Sequence, residues 1–258
     1  MKKFLCLFSA LTLSLTSCSS DDNGSEEGSA ALLPTKITET VVENGKSGTL
    51  DYTLTYDGNK LKQISLSDAS KSVYTYTGDL ITKVEYFKSG VLQWTDVYAY
   101  EGTKLVSKIT TDAFNTTSQE KLTFVYNANG TVNVNESEII NRQEIKYDTT
   151  TLYTFANGNI ISTEFIDGVK EKITSTYDDK KSPFVNITGL KLLLDLDNEF
   201  DFYSANNALT SVTVTYNADG KAVQTASVDY KLKYNSSNFL SEIFAGDAND
   251  SFKVQITY

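Results

Sequence analysis

The chain contains no histidine, and among its 258 residues only two are cysteine, two are proline and one is tryptophan. The lack of histidine excludes Ser-His-Asp and Cys-His catalysis, histidine-ligated zinc and an imidazole-based pH switch. The cysteines, Cys6 and Cys18, both lie near the amino terminus. We therefore expect a domain without disulfides, held together by packing and strand pairing. These absences favour a protein that is not an enzyme and that needs no cofactor.

Basic residues are also scarce, because 23 lysines and arginines face 33 aspartates and glutamates, for a formal net charge of −10. Loss of Lys2 and Lys3 with a signal peptide leaves 21 basic against 33 acidic residues, a net charge of −12. A chain this acidic repels nucleic acid and bare anionic lipid, so we expect neither as a partner.

A short apolar run, residues 4–15, follows Lys2 and Lys3 and leads into Leu15-Thr16-Ser17-Cys18. This arrangement is typical of a secretory signal peptide, and the run is too short to span a bilayer. The small residues before Cys18 resemble a bacterial lipobox, which implies a diacylglyceryl group on the sulfur and acylation, for example by palmitate, of the new amino terminus. We expect Cys18 to anchor the protein on a membrane. An ordinary signal peptide with a chance cysteine is the alternative.

A polar, acidic stretch from Ser19 to about Ala30 can bury nothing, so we expect a disordered tether. Asp21 and Asp22 resemble the surface-export signal of Bacteroidetes-type lipoproteins, which implies the outer membrane and the cell surface; the periplasmic face is the alternative. The predicted organisation is a signal peptide (1–17), the lipidated cysteine with its tether (18–35) and one repeat-built β domain (36–258).

Strict alternation of apolar and polar residues begins near Leu50, as in Thr-Leu-Asp-Tyr-Thr-Leu-Thr-Tyr over residues 49–56. A period of two predicts strands with one buried face and one wet face. A degenerate repeat accompanies it: an aromatic residue, an Asp/Asn/Gly turn, an apolar residue and a second apolar residue three or four positions later. It is found at Tyr56-Asp-Gly-Asn-Lys-Leu61 and recurs from Tyr76 and Tyr100. Such turns suit hairpins. We predict an all-β antiparallel meander of about sixteen strands, curled into an open or closed barrel-like sheet.

Two resemblances follow from these motifs. The Tyr-Asp-turn-Leu pattern is similar to YD-type repeats, without their usual Arg and Gly framing. Tyr177-Asp-Asp-Lys-Lys-Ser-Pro183-Phe184, with the apolar stretch to Leu196, resembles a family of Bacteroidetes lipoproteins of unknown function whose fold is described as porin-like. This second resemblance covers residues 36–258. It implies a barrel-like architecture and no catalytic residue.

The period changes only in residues 182–196, where a serine precedes Pro183 and apolar residues fall at helical spacing. We predict one short helix near 183–194 that covers an open end of the sheet, with a buried strand as the alternative. Its apolar residues favour core filling over a lid on a lipophilic cavity.

Two residue groups are weak site candidates. Asp195, Asp197 and Asp201 alternate like ligands of a calcium loop, yet the required glycine and the twelfth-position glutamate are missing, so an acidic edge is the simpler interpretation. Trp94 and Tyr98 could form an aromatic platform for a sugar. The alternative is that they pack in the core like other aromatic residues. No metal site and no catalytic residue are predicted.

Three functions remain open. The first is a lipid-anchored, non-enzymatic binding or scaffold protein of the cell envelope, with an extracellular glycan or protein as partner. The second is a carrier of a lipid or other apolar ligand in a half-barrel. The third is a histidine-free glycoside hydrolase, which needs two carboxyl groups in a cleft. Short strands with many charged positions argue against an integral membrane barrel.

Overall fold

A computed structural model describes residues 31–167, 170–194 and 203–258, and residues 31–258 form one compact unit. Nearly every described element is a β-strand. The strands are β1 (Lys36–Glu43), β2 (Lys46–Asp57), β3 (Lys60–Leu66), β4 (Ser70–Thr77), β5 (Leu80–Lys88), β6 (Val91–Glu101), β7 (Lys104–Asp112), β8 (Ser118–Tyr126), β9 (Val132–Ile140), β10 (Gln143–Ala156), β11 (Asn159–Phe165), β12 (Lys170–Tyr177), β13 (Ala208–Tyr216), β14 (Ala222–Asp229), β15 (Lys231–Tyr234), β16 (Leu240–Gly246) and β17 (Ser251–Thr257).

The strands form one antiparallel meander that closes on itself almost completely. Each strand from β1 to β13 pairs with the next, and β1 also pairs with β17, which pairs in turn with β16, and β16 with β15. Strands β14 and β15 are separated only by Tyr230; the first pairs with β13 and the second with β16. Counted as one strand, they bring the observed 17 strands to the predicted number of about sixteen. The predicted all-β barrel-like meander is confirmed, and the sheet is nearly closed.

The aromatic–turn–apolar repeat marks one end of this barrel, which we call the plug end. There the sheet register shifts at the repeat aromatic, as between Thr55 and Tyr56. The hairpins that begin at Tyr56, Tyr76 and Tyr100 each contain such a β-bulge, which strengthens the local twist. The repeat tyrosine reaches a main-chain group of the hairpin that precedes it: Tyr100 Oη donates to Ile81 O at 2.8 Å and Tyr258 Oη to Leu240 O at 2.7 Å. The repeat therefore encodes a ring of tyrosine contacts that joins neighbouring hairpins.

These buried tyrosines make the barrel sensitive to alkali. Burial raises the pKa of Tyr76 to about 12 and raises the pKa values of Tyr56, Tyr100 and Tyr258 further. The folded state therefore keeps protons that the unfolded chain releases near pH 10, so stability is complete below pH 10 and is lost as the pH rises above it. We expect cooperative unfolding by about pH 12, with tyrosinate absorbance and loss of β circular dichroism rising together. Ionisation of these tyrosines in the intact fold near pH 10 would contradict this expectation.

The two faces of the barrel wall differ in polarity. Ile37, Leu61, Ile81 and Leu105 are at most 1% exposed and point inwards at the plug end. The outer face carries threonines and ion pairs, such as Lys83–Glu85 at 2.9 Å and the pairs Lys36–Asp51, Lys172–Glu164 and Lys233–Glu242. The strands are longer than expected: β2, β6 and β10 have 12, 11 and 14 residues and several others have 9, while a tilted membrane-spanning strand needs about nine to eleven. Strand length therefore does not argue against insertion, whereas the polar outer face does.

The connection from β12 to β13 plugs the barrel. Its residues 182–194, which we call the plug segment, bring five apolar side chains into the main core: Phe184, Ile187, Leu190, Leu193 and Leu194. Polar contacts fix it to the turns around it. Thr188 N donates to Asn59 O at 2.9 Å, and Tyr76 Oη donates to Thr188 O at 3.1 Å.

The predicted helix near 183–194 is wrong. The plug segment is a series of turns with a single three-residue 3₁₀ turn, Leu190–Leu192. The physical reason is Gly189, which has φ of +76° and so breaks the right-handed path. The backbone closes short turns within the segment, such as Ile187 N to Phe184 O at 3.0 Å, and Thr188 N bonds instead to the neighbouring hairpin. The apolar spacing reflects core filling from an irregular chain. In the described ranges, no helix is long and apolar enough to cross a membrane.

Candidate functional site

The predicted site residues fall into two groups. Trp94 and Tyr98 are described by the structure. The others lie outside the described residues: Cys18, Asp21, Asp22, Asp195, Asp197 and Asp201. Lipidation, surface export and a cation at these positions therefore stay predictions. Across 31–167, 170–194 and 203–258 no group of three or more acidic or cysteine side chains is arranged to hold a metal ion.

Trp94 and Tyr98 share the inner face of β6 but differ in depth. Tyr98 is only 3% exposed and belongs to the main core, whereas Trp94 is 41% exposed. Trp94 stacks on Tyr86 of β5, with ring centroids 4.6 Å apart and ring planes 21° from parallel. Of the predicted pair, only Trp94 can present a ring face to a ligand.

A cavity of about 610 Å³ opens beside Trp94, on the inner wall away from the plug segment. Its volume lies within the range of sites for small molecules. The wall is built from the inner faces of β5 to β9 and the turn between β7 and β8. The lining residues are Tyr86, Trp94, Asp96, Lys108, Thr110, Asp112, Asn115, Ser118, Glu120 and Glu138.

Sheet register sets these side chains in two transverse rows. In the first row, Asp96 pairs with Thr110, Thr110 with Glu120, and Glu120 with Glu138, across β6 to β9. In the second row, Tyr86 pairs with Trp94 and Trp94 with Asp112. Paired residues point to the same face of a sheet. The cavity wall is thus a row of carboxylates beside a row that contains the aromatic stack. We call these the carboxylate row and the aromatic row.

Hydrogen bonds hold two of the carboxylates in fixed positions. Asp96, which is 3% exposed, accepts from Thr110 Oγ1 at 2.7 Å and from Tyr98 Oη at 3.3 Å. Glu138 accepts from the hydroxyls of Ser118 and Tyr147. The hydrogen bond from Ser118, and then that from Tyr147, lowers the pKa of the Glu138 carboxyl below its usual range. Glu138 is therefore an anion at neutral pH.

The other two carboxylates of the cavity, Asp112 and Glu120, are not held by side-chain hydroxyls of the described residues. Asp112 Oδ1 accepts from Phe114 N at 2.6 Å and from Asn115 N at 3.0 Å, which shapes the turn at the cavity rim. Glu120 makes no hydrogen bond or ion pair with any residue in the described part of the chain, and it stands directly opposite Glu138. Like charges in this position repel. Four carboxylates and the single ammonium of Lys108 give the cavity lining a net charge of about −3.

Two further cavities adjoin the inner wall. One of about 390 Å³ shares Lys108, Thr110, Ser118, Glu120 and Glu138 with the Trp94 cavity. The other, of about 290 Å³, lies between the plug segment and strands β16 and β17. Its apolar lining includes Phe184, Leu240, Ile243, Phe252, Val254 and Ile256.

No signal in the sequence identifies Asp96, Lys108, Glu120 and Glu138 as one site. Each is an inward residue of a different strand, and a β-bulge changes the register between β6 and β7. A one-residue error in register moves a side chain to the other face.

No family model matches the chain, and no curated protein matches it. Among solved structures, a porin-like protein from Bacteroides uniformis is similar, with a TM-score of 0.52 and 10% sequence identity. The match covers 87% of this chain and 97% of that one. The porin-like fold implied by the sequence resemblance is therefore confirmed. Membership of a lipoprotein family stays a prediction.

Proposed function

We propose that the chain is a non-enzymatic, lipid-anchored binding protein of the bacterial cell envelope, and that it holds a glycan in the Trp94 cavity. The observation that carries this proposal is the half-exposed Trp94 ring, stacked on Tyr86 and surrounded by hydrogen-bonding side chains. A flat aromatic face suits the apolar face of a sugar ring, and the carboxylates, Asn115 and Thr110 suit its hydroxyls.

The envelope location rests on the signal peptide and Cys18, with Asp21 and Asp22 favouring the cell surface. The polar outer wall supports a barrel that faces water and is attached through its lipid. In intact cells, protease degrades a domain displayed on the surface and spares one on the periplasmic face.

Binding without catalysis is the simpler interpretation of the carboxylates. A glycosidase needs one carboxylic acid with a raised pKa to protonate the leaving group. The hydrogen bonds to Glu138 lower the pKa of its carboxyl, so Glu138 does not fit the role of that acid. We assign Glu138 and the carboxylates beside it to ligand recognition.

A carrier of an apolar ligand is the second candidate, and the apolar cavity beside the plug segment favours it. At about 290 Å³ this cavity is below the usual size of a site for a drug-sized ligand. The plug segment fills much of the same end with its own side chains, so we place the carrier second.

Substitution of Trp94 tests the glycan proposal. We expect Trp94→Ala to weaken binding on a glycan array by about tenfold or more, because the aromatic platform is lost. Val97→Ala, on the outward face of the same strand, serves as the matched control and leaves binding unchanged. If no glycan binds to the wild-type protein, or if Trp94→Ala binds as well as wild type, the proposal is wrong.

A further inference from the structure

The carboxylate row can accept hydrogen bonds from the hydroxyls of a neutral sugar, but such a ligand leaves its negative charge unmatched. Asp96, Glu120 and Glu138 lie on one transverse line across the inner wall, beside the aromatic row. Glu120 and Glu138 are direct cross-strand partners, a placement that repulsion disfavours. A positively charged ligand would relieve this repulsion.

The spacing of the row indicates which kind of cation fits. Strands β6 to β9 are separated by three interstrand spacings of about 4.8 Å, so the row extends over about 14 Å. In the residues that the structure describes, the carboxylates do not converge as ligands of a metal ion would. Because Asp96 is buried, a ligand meets chiefly Glu120 and Glu138, and these two neighbours fit an organic cation such as an ammonium group.

The stacked Trp94 and Tyr86 supply an independent second requirement. The exposed Trp94 face accepts a flat ring, and it also attracts an adjacent ammonium group through its π-electrons. A ligand that satisfies both rows has sugar rings for the aromatic row and ammonium groups for the carboxylate row.

We propose that the Trp94 cavity selects glycans that carry free amino groups, with Trp94 stacking on a sugar ring and Glu120, together with Glu138, binding its ammonium. This inference rests on the proposed function, because it concerns the ligand of the same cavity. Glu120 is the residue available for the ammonium, because among the described residues it makes no hydrogen bond or ion pair. Charge-assisted hydrogen bonds of this kind are about twice as strong as neutral ones.

Two ligands that differ in their amino groups show whether the charge of the ligand, and not only its sugar rings, contributes to binding. Calorimetry at about pH 6 compares a glucosamine trimer with the corresponding N-acetylglucosamine trimer, using the full purified protein. We expect the trimer with free amines to bind at least about tenfold more tightly. We also expect this advantage to shrink as salt is added, since exposed charges are screened.

The variants Glu120→Gln and Glu101→Gln complete the test. Both remove one negative charge, but Glu101 lies at the plug end of β6, away from the cavity lining. We expect Glu120→Gln to abolish the advantage of the amine and Glu101→Gln to retain it, with unchanged thermal unfolding in both.

Three outcomes overturn the inference. If the acetylated trimer binds as tightly as the amine, selection for amines is wrong and glycan binding stands. If Glu120→Gln keeps the difference, the placement of the ammonium at Glu120 is wrong. If neither trimer binds and the array is empty as well, both proposals are wrong.

Discussion

Replacement of Gly189 by alanine should destabilise the protein by about 3 kcal/mol, because it adds a steric clash to backbone strain. Gly189 has φ of +76°, which costs an L-residue about 1–2 kcal/mol. A Cβ atom there would lie 2.5 Å from the carbonyl oxygen of Asp79, a main-chain atom of the turn between β4 and β5. The chain must shift to relieve this contact, and the shift would pull the plug segment from the core.

Gly58→Ala is the matched control for this effect. Gly58 also has a positive φ, of 57°, but a Cβ atom there meets nothing within 4 Å. We expect a loss of about 1 kcal/mol at this turn, from strain alone. Urea unfolding followed by circular dichroism measures both variants. Equal losses would mean that the plug segment does not press against the Asp79 turn.

Substitution of Cys18 by serine should abolish acylation completely, because the thiol is the proposed site of the diacylglyceryl group. Acyl chains bury their methylenes at about 0.8 kcal/mol each, so two or three chains hold a protein on a membrane almost irreversibly. Incorporation of labelled palmitate into the protein in growing cells measures this modification. We expect strong labelling of the wild-type chain and none of Cys18→Ser.

Cys6→Ser provides the control, since Cys6 lies within the apolar run of the signal peptide. This variant should be processed and labelled as the wild-type protein is. Labelling of Cys18→Ser, or the absence of label in the wild-type chain, would show that the membrane anchor is assigned wrongly.

The all-β architecture was predictable because strands and hairpin turns are each identified by residues close together in the sequence. Alternation with a period of two identifies each strand, and the Asn, Asp and Gly residues after Tyr56 and Tyr76 identify hairpin turns. Closure between β1 and β17 was not predictable, because nothing within either strand identifies its distant partner.

The plug segment shows where spacing alone misleads. Phe184, Ile187 and Leu190 recur at intervals of three residues and are all buried, so the burial was readable from the sequence. The helix was not formed, because Gly189 is fixed in a left-handed conformation by the turn beside it. That contact joins residues more than a hundred positions apart in the chain.

The candidate site was predictable only in part. Alternation places Trp94 and Tyr98 on one face, but only the fold shows that the core covers Tyr98 and leaves Trp94 beside an open cavity. The carboxylate row depends on the register of four strands. Sequence periodicity shows which face of the sheet each residue lies on. It does not show which residues are paired across neighbouring strands.

Fluorescence of Trp94 is the most direct test of the proposed binding site, because Trp94 is the only tryptophan in the chain. A ligand that stacks on its exposed face removes water from the ring and shields it from a soluble quencher. Titration with the glucosamine trimer should therefore shift the emission to shorter wavelength and reduce acrylamide quenching, with saturation at one ligand per chain. Calorimetric binding without any change in Trp94 emission or quenching would contradict the placement of the ligand in this cavity.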